Sequence, residues 1–327
     1  ITTSLVLSLC MLTGCSSSNS ASSSTSSDAS KNQSEKLPKE INVTYVKSPL
    51  NVPSILEKND SLFDKEFKSD NISVKWSEIT AGPDQTEALA SGDIDFAHCL
   101  GGTSALIAAS NGVDLKIIGT YSQAPKGFML VTNDKSIKGP EDLKGKKIGI
   151  SENTMIEYLA DDITTLNGIA AEDFEKVAIP AMPARLEALR NNQIDSAILP
   201  APFNETAIAD GAVEIETIHN TDIMISVTAF LNSVIEQYPQ AIQGFYNAYN
   251  KAVDYINSTD ISEYEDAVIK TVGYSEETRG NIILPKFKHN YLPDVEKVQK
   301  VFYWATAKGL LRKDITAKDV LNNVATK

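Results

Sequence analysis

The feature that most constrains this fold is a fifteen-residue segment that occurs twice, 100 residues apart. Residues 83–97 read PDQTEALASGDIDFA, residues 183–197 read PARLEALRNNQIDSA, and seven of the fifteen positions are identical without a gap. Each copy begins with proline, which suits the first turn of a helix because its missing N–H would have no partner there. Each copy also ends in Ile-Asp and leads into a strand-like apolar run. Although any two α/β units share some of this pattern, the repeat predicts two lobes of similar build.

Strand-like and helix-like runs alternate on either side of each copy. Strands are predicted at 41–46, 72–76, 94–97, 115–119, 147–150, 177–179 and 196–199. Helices are predicted at 52–67, 103–110, 153–166 and around 185–190, and, after Val227, from Tyr238-Pro239 onward and at 262–272, 276–284 and 294–308. This alternation predicts βαβ units with a mainly parallel sheet in each lobe, and additional helices toward the C-terminus.

Composition and motifs exclude several classes of function. The chain has 327 residues, 30 basic and 43 acidic, with a formal net charge of −13. This length accommodates two domains with a sizeable core, and the acidity disfavours nucleic acid or an anionic membrane as the main partner. The sequence lacks zinc-type His or Cys pairs, the Gly-x-Ser-x-Gly elbow, the phosphate loop and the dinucleotide fingerprint. We therefore expect no catalytic residue, no metal and no cofactor.

The N-terminal region has the pattern of an exported lipoprotein. The apolar run 5–12 has the length of a signal-peptide core, and Leu-Thr-Gly-Cys at 12–15 resembles a bacterial lipobox. Residues 16–36 are rich in serine and contain nothing to bury, which is typical of a flexible tether. The predicted segments are a signal peptide at 1–14, truncated at its start, and a lipidated Cys15 with its tether at 15–37. We expect an extracytoplasmic protein that is anchored to the cell membrane by a lipid on Cys15.

Cysteine usage is consistent with this interpretation. Cys10 would leave with the signal peptide and Cys15 would carry lipid, so Cys99 would remain alone. The exported body could then form no internal disulfide, and Cys99 is expected to be buried packing.

Candidate ligand-binding loops follow from the rule that open α/β sheets bind ligands at the carboxyl ends of their strands. Loops that lead into helices also supply free N–H groups that suit an anion. The rule selects loops at 48–51, 81–83 and 101–104 in one lobe and at 151–154, 181–185 and 200–203 in the other. The candidate ligand residues are Ser48, Asn51, Gly82, Gly102, Thr103, Tyr121, Asn153, Thr154, Arg185 and Phe203.

Each candidate also has a structural alternative. The glycine pair at 101–102 can simply form a turn, and Asn153 or Thr154 can cap its own helix. Aromatic residues after strands are as often core as ligand-stacking. Arg185 is either a ligand group or an ordinary surface arginine, and either reading predicts that Arg185→Ala lowers the stability of the unliganded protein by no more than about 0.5 kcal/mol.

The body resembles the substrate-binding proteins of bacterial ABC importers, of the aliphatic sulfonate, nitrate, taurine and thiamine-precursor group. Four stretches carry the resemblance. Two lie in the first part of the body: Ala-Gly-Pro at 81–83, followed by Glu-Ala-Leu and Gly-Asp-Ile-Asp-Phe, and Ile137, followed by Asp-Leu-Lys-Gly-Lys-Lys-Ile-Gly at 142–149. The other two are Pro-Ala-Arg at 183–185, followed by Ala-Leu and Ile-Asp, and Tyr-Pro at 238–239, followed by Phe245, Tyr249 and Ala252. It spans about residues 40–260 and is specific for the superfamily but weak for the ligand.

The resemblance implies a type II periplasmic-binding-protein fold, with two α/β lobes joined by a two-stranded hinge and extra C-terminal helices. The crossings would lie near Pro125–Phe128 and Met224–Thr228, with lobe one at 38–127 plus 227–327 and lobe two at 128–226. The family's ligand contacts map onto Ser48, Gly82, Gly102, Thr103, Asn153, Thr154 and Arg185.

The function that the resemblance implies is capture of a small solute between the lobes and delivery to a membrane permease with its ATPase. The expected protein is a monomer, and the expected ligand is a sulfonate-, nitrate- or taurine-like compound. Glu152 departs from the pattern of sulfonate binders, because a negative charge beside an anion site repels the anion. A pyrimidine or thiamine-precursor heterocycle is therefore an alternative ligand, and an enzyme on the same fold is a further alternative.

Overall fold

The computed structural model describes residues 38–122, 127–170, 172–217, 226–282 and 284–324. Within these residues, ten strands form two five-stranded sheets, and helices pack against both. The strands are β1 (Glu40–Tyr45), β2 (Ser73–Glu78), β3 (Phe96–Gly101), β4 (Leu115–Ser122), β5 (Phe128–Thr132), β6 (Lys147–Ile150), β7 (Glu175–Ala178), β8 (Ser196–Pro200), β9 (Val213–Thr217) and β10 (Ser226–Leu231). The helices are α1 (Val52–Asn59), α2 (Leu62–Phe67), α3 (Gly82–Ser91), α4 (Gly102–Ser110), α5 (Met155–Leu166), α6 (Met182–Arg190), α7 (Phe203–Ala209), α8 (Asn232–Gln237), α9 (Pro239–Ser258), α10 (Glu265–Val272), α11 (Val295–Ala307) and α12 (Ala317–Val320).

The two sheets have equivalent topologies. Their strand orders are β2-β1-β3-β10-β4 and β7-β6-β8-β5-β9. In each sheet the first three strands are parallel, and the fourth is antiparallel to both of its neighbours. The antiparallel strands, β5 and β10, are those with which the chain enters a sheet after leaving the other one. The prediction of mainly parallel sheets is therefore wrong for half of the strand pairings, because exchange of the chain between sheets leaves no local pattern. We call the first sheet with α1–α4 and α8–α12 the first half, and the second sheet with α5–α7 the second half.

The repeated segments occupy equivalent places in the two halves. Proline is the second residue of α3 in one copy and of α6 in the other, and Ile-Asp directly precedes β3 or β8. Asp95 Oδ2 accepts the N–H of Asn42, the third residue of β1, at 2.7 Å. Asp195 Oδ2 accepts the N–H of Lys147, at the start of β6, also at 2.7 Å. The aspartate of the repeat therefore attaches each of these strands to its parallel neighbour.

The turn that follows each repeated helix also matches. Gly92 has a φ of 79° and Asn192, at the equivalent position, has a φ of 53°. Glycine and asparagine are the residues that adopt this left-handed backbone most readily. Each copy thus carries a residue type that its turn requires.

Two of the predicted helices are broken. The segment 52–67 is divided into α1 and α2 because Ser61, with a φ of 53°, leaves the helical region. In 276–284 the only helical turn within the described residues is a short 3-10 turn at Glu276–Thr278, and Gly280 has a φ of 76°. Apolar spacing does not record such local reversals of the backbone, so the sequence pattern predicted helices that are too long.

The buried apolar side chains of the described chain form three clusters. One cluster packs α9, through residues such as Phe245, on the first sheet, and a second packs α6, through Leu189, on the second sheet. The third is continuous between the halves and contains Leu106 of α4, Leu159 of α5 and Phe302 of α11. The two halves therefore share part of their core at the place where these three helices meet.

Several predictions concern residues outside the described ranges. The signal peptide, Cys15 and the tether lie outside them, as do residues 125–126 and 224–225 of the two predicted crossing segments. The domain limits of 38–127 plus 227–327 and 128–226 stay a prediction. Across the ranges that are described, none of the helices combines the length and the apolarity needed to cross a bilayer.

Candidate functional site

The two halves meet where one helix of each begins. α4 starts at Gly102, immediately after β3, and α5 starts at Met155, shortly after β6. Thr103 Oγ1 lies 3.8 Å from Met155 Sδ, so the first turns of the two helices are in contact. Both N-termini stand at carboxyl ends of strands, where open α/β sheets bind their ligands. This junction is the candidate ligand site.

The N-terminus of α4 has no side-chain cap. Its N-cap residue is Gly101, and no side chain of the described residues accepts a hydrogen bond from the N–H groups of Gly102, Thr103 or Ser104. Gly102 and Thr103 are both buried. Free N–H groups and the positive end of the helix dipole together favour an anion at such a position. The predicted loop at 101–104 thus presents unused hydrogen-bond donors at the junction.

The N-terminus of α5 is already satisfied by groups of the protein. Thr154 Oγ1 accepts the N–H of Ile156 at 3.2 Å, which is the capping role that the sequence left open. Glu157 Oε2 accepts the N–H of Asn153 at 2.8 Å. Asn153 itself has a φ of 59°, and its side chain is exposed. The Thr-x-x-Glu spacing of residues 154 and 157 is a capping signature that could have revealed this arrangement from the sequence.

Glu157 brings a buried negative charge to the junction. Its side chain is 3% exposed and is paired with Lys176 at 3.3 Å and with Lys308. Burial alone would raise the pKa of Glu157, but hydrogen bonds from Lys308 and Asn153 and the charges of both lysines hold that pKa below its usual value. A carboxylate in the first turn already complements the dipole of α5. The α5 side therefore has less to offer an incoming anion than the α4 side.

Arg185 is buried, and the prediction of an exposed arginine is wrong. Its guanidinium donates hydrogen bonds to three backbone carbonyls, those of Ile179 at 3.0 Å, Ile198 at 3.0 Å and Pro180 at 3.2 Å. Burial lowers the pKa of Arg185 to about 10. Its stem packs on Gly149, where an added Cβ would lie 3.1 Å from Arg185 Cγ. The guanidinium thus bridges backbone segments of the second half, and its contact with a ligand stays a prediction.

The repeat explains why Arg185 points inward. The equivalent residue in the first copy, Gln85, is also buried, and its Oε1 accepts a hydrogen bond from Thr44 Oγ1 at 3.4 Å. Thr44 on β1 corresponds to Gly149 on β6, since the residues two positions earlier, Asn42 and Lys147, make the same contact with the repeated aspartate. The larger arginine therefore faces a glycine where the smaller glutamine faces a threonine. The equivalence of residues 85 and 185 was visible in the repeat, whereas the exchange of threonine for glycine opposite them is seen only in the structure, and together they favour a structural role.

The loop at 48–51 is held mainly by its own hydrogen bonds. Ser48 Oγ, partly exposed, accepts the N–H of Leu50 at 3.2 Å. Asn51 is fully buried, and its amide donates to the carbonyl of Val46 at 3.0 Å. The amide oxygen of Asn51 has no hydrogen-bond partner among the described residues. Of the two predicted residues, Ser48 is therefore the one that reaches the surface.

Gly82 is required for close packing of two helices. A Cβ at this position would lie 2.5 Å from Ser104 Oγ and 3.0 Å from Ser104 Cβ, both in the first turn of α4. Real Cβ atoms do not approach other atoms so closely, so the glycine lets the starts of α3 and α4 touch. Gly82 therefore lies beside the first turn of α4, and its contact with a ligand stays a prediction.

The two predicted aromatic residues differ in their surroundings. Tyr121 is 1% exposed, its hydroxyl accepts the N–H of Ser54 at 2.9 Å, and its ring lies 4.3 Å from that of His98. It is a core residue, which corrects its assignment as a stacking surface. Phe203, the first residue of α7, is half-buried against the apolar cluster of the second half. Because it is partly exposed and follows the end of β8, its contact with a ligand stays a prediction.

Three small polar side chains that the sequence analysis did not assign to the site lie together at the ends of β3, β4 and β10. Ser122 Oγ and Ser226 Oγ are 2.6 Å apart, and Cys99, whose thiol lies 3.9 Å from the carbonyl oxygen of Leu50, is next to Ser226. Burial raises the pKa of Cys99 to about 12, so its side chain is a thiol and not a nucleophilic thiolate near neutral pH. No group of three or more His, Cys, Asp or Glu in the described part of the chain is placed to hold a metal ion.

The fold and the site define a class of protein. Two α/β halves of this topology, which meet at the carboxyl ends of their strands, have the periplasmic-binding-protein fold. The chain belongs to the NMT1/THI5-like family, whose model matches residues 67–259. The fold class and the family resemblance predicted from the sequence are confirmed.

Curated relatives and solved structures agree with this membership. A putative aliphatic sulfonates-binding protein of Bacillus subtilis is 25% identical over 290 residues, which cover 84% of each chain. The taurine-binding periplasmic protein of Escherichia coli is 27% identical over 225 residues, or 68% of each chain. The structure of the periplasmic aliphatic sulphonate binding protein SsuA from Escherichia coli superposes with a TM-score of 0.78 at 19% identity, covering 87% of this chain and 92% of that one.

Proposed function

We propose that this protein is the substrate-binding component of an ABC importer and that its ligand is a small sulfonate or a related anion such as taurine or nitrate. The observation that carries this proposal is the uncapped N-terminus of α4, which presents free N–H groups where the two halves meet. A sulfonate has three acceptor oxygens and a single charge, which such a set of donors can hold. The names of the relatives support the same class of ligand.

The proposed mechanism is capture by closure. The solute binds to the first half at Gly102 and Thr103, and the second half then closes over it through contacts at the start of α5. A ligand can drive closure only through contacts that the closed form makes and the open form lacks. The closed form then docks on the permease and its ATPase, and the binding protein acts as a monomer.

A ligand panel on residues 38–327 tests the proposal. Ethanesulfonate, taurine and nitrate form one arm, propionate is the carboxylate control, and a thiamine-type pyrimidine tests the alternative ligand. A ligand at a hundred times its dissociation constant adds about 2.7 kcal/mol, which for a chain of this size raises the melting temperature by roughly 5–10 °C. A shift with a sulfonate and none with propionate is expected. A shift with the pyrimidine alone would replace the sulfonate by a heterocycle, and no shift at any member would contradict the proposed ligand class.

A proline substitution separates the α4 donors from the rest of the site. Gly102→Pro removes one N–H at the first position of α4, where proline is compatible with a helix. Gly101 has φ −59° and ψ 128°, which a residue before proline adopts. A lost hydrogen bond to a charged ligand weakens affinity by roughly 10- to 100-fold in calorimetry. Asn153→Gly is the comparison on the α5 side, since its φ of 59° suits glycine and only the side chain is removed, and a smaller loss of affinity is expected there.

We further propose that the protein is exported and held at the outer face of the cell membrane by a lipid on Cys15. The lipobox-like residues 12–15 and the serine-rich segment 16–36 support this location. Labelling of the full-length protein with a clickable fatty acid tests it, and Cys15→Ser is expected to abolish the label and release the protein.

An enzyme on the same fold is the alternative from another class. The raised pKa of Cys99, about 12 because of burial, disfavours it as a nucleophile. Turnover of a panel ligand by the purified protein, followed by mass spectrometry, would favour the enzyme.

A further inference from the structure

The C-terminal helix α11 joins the two halves of the molecule. α11 packs on α4 and α12 of the first half, whereas α5 packs on β6 and β8 of the second half. Val298 and Phe302 of α11 belong to the same apolar cluster as Ile156 and Leu159 of α5. The two helices therefore share an apolar cluster that is continuous between the halves.

Polar side chains along one edge of this contact connect the helices at two successive turns. Lys308, directly after α11, is paired with Glu157 in the first turn of α5. One turn along, Trp304 Nε1 donates to Asp161 Oδ2 at 2.8 Å. The ring of Trp304 also meets that of Tyr158 edge-on, with 5.5 Å between the centroids. Each of these contacts joins a residue of the first half to a residue of the second.

Glu157 connects this contact with the ligand loop. One carboxylate oxygen is paired with Lys308, and the other accepts the N–H of Asn153 in the loop 151–154. The remaining partner, Lys176, belongs to the second half and also pairs with Asp161. If the halves separated, Glu157 and Asp161 would keep Lys176 but lose Lys308 and the indole of Trp304. These contacts therefore distinguish a closed arrangement from an open one without any ligand.

We propose that α11 is a latch that holds the two halves closed in the absence of ligand, with Glu157 as the positioning residue that connects the latch to the loop 151–154. The latch stabilises the closed form through Lys308 and Trp304, so that the unliganded protein is mainly closed and opens transiently to admit solute. The inference rests on the proposed function only in that the halves must separate to admit a ligand.

Pulsed electron paramagnetic resonance on the ligand-free protein tests the latch. Spin labels are attached at Asp84→Cys and Ala184→Cys, which occupy equivalent exposed positions in the first turns of α3 and α6. Cys99→Ser removes the one other thiol of residues 38–327. The protein with an intact latch is expected to give a single short distance.

Two variants weaken the latch in different ways. Lys308→Met removes the charge, and Trp304→Phe keeps a ring but removes the N–H that Asp161 accepts. Each is expected to raise the ratio of open to closed molecules about tenfold, because the lost contacts are partly buried. Lys308→Arg retains the charge, so this variant is expected to give the same short distance as the parent protein.

Lys251→Met is the matched control, because Lys251 pairs with Glu66 at 2.6 Å within the first half. It removes a lysine–glutamate pair, more exposed than that of Lys308, without affecting contact between the halves, and the distance is expected to stay short. Circular dichroism verifies that each variant is folded, and Trp304→Phe serves as the test if Lys308→Met is not.

The latch is refuted if the parent protein without ligand already shows mainly the long distance. It is also refuted if folded Lys308→Met or Trp304→Phe gives the parent distribution. Because no ligand is added, a failure of the sulfonate panel leaves this result unchanged, and the two proposals fail separately.

Discussion

Replacement of Arg185 tests whether this residue holds the second half together. The side chain is fully buried and donates to the carbonyls of Ile179, Pro180 and Ile198. Arg185→Met keeps much of the buried stem and removes the three donors, whereas Arg185→Ala removes both. The two variants therefore separate the hydrogen bonds of the guanidinium from the packing of its stem.

The expected magnitudes follow from two opposing effects. Three hydrogen bonds from a charged donor, at about 1.5 kcal/mol each, contribute roughly 4–5 kcal/mol. Burial lowers the pKa of Arg185 to about 10. At about 1.4 kcal/mol per pH unit, this drop represents roughly 3 kcal/mol of desolvation, which methionine does not incur. We therefore expect Arg185→Met to cost about 1–2 kcal/mol, and Arg185→Ala about 3–5 kcal/mol because a cavity is added.

Urea unfolding of residues 38–327, followed by circular dichroism, measures both values. Arg190→Met is the control on the same helix, because Arg190 is 35% exposed and its surface ion pairs contribute little. Its expected cost is below about 1 kcal/mol. If Arg185→Met and Arg185→Ala both stayed within about 0.5 kcal/mol of the parent, the surface reading would stand and the structural role would be refuted.

Three further predictions follow from the fold. Asp95→Asn and Asp195→Asn are each expected to lower the free energy of unfolding by about 1–2 kcal/mol, since each carboxylate accepts a strand N–H at 2.7 Å; unequal urea midpoints would contradict the equivalence of the two contacts. Gly149→Ala is expected to lower the free energy of unfolding by about 1–3 kcal/mol in the same assay, because the new Cβ would lie 2.5 Å from Ile194 Cδ1. An unchanged urea midpoint would exclude this crowding. Burial raises the pKa of Tyr121 and Tyr249 well above the usual value, so the stability that these neutral phenols contribute is present below pH 10 and is lost as the pH rises further. Absorbance at 295 nm should therefore show tyrosines that ionise only when the far-ultraviolet signal is lost, and complete ionisation near pH 10 in folded protein would contradict this.

The repeat at 83–97 and 183–197 carried most of what the sequence predicted correctly. Its proline, its Ile-Asp pair and its turn residue each impose a local requirement, namely a helix start, a strand contact and a left-handed turn. These requirements are met within a few residues, so they are visible in the sequence. The exchange of β5 and β10 between the sheets involves partners far apart along the chain, and no local pattern predicts it.

The residues of the candidate site also fall into two groups, those predicted from the local sequence and those that depend on partners in other elements. The loops at the ends of the strands were predicted because their positions depend on the strand order alone. The burial of Arg185 and Tyr121 was missed because each depends on a partner in another element, Gly149 for one and His98 for the other. The contact of Lys308 with Glu157 spans 151 residues of sequence, and neither residue carries a signal for the other.

The two halves share one build but differ at the helices that meet between them. The first turn of α4 has free N–H groups, whereas the first turn of α5 has Thr154 as its cap and the carboxylate of Glu157 beside it. An anion therefore gains most from the first half, and under the proposed latch the second half contacts the first through Lys308 and Trp304 before a ligand binds. We infer that the start of α4 supplies most of the ligand's hydrogen bonds, whereas Lys308 and Trp304 set the balance between the open and closed forms before a ligand binds. In ligand-free protein, substitutions at the start of α4 should therefore leave the ratio of open to closed molecules unchanged, whereas substitutions in α11 should raise it.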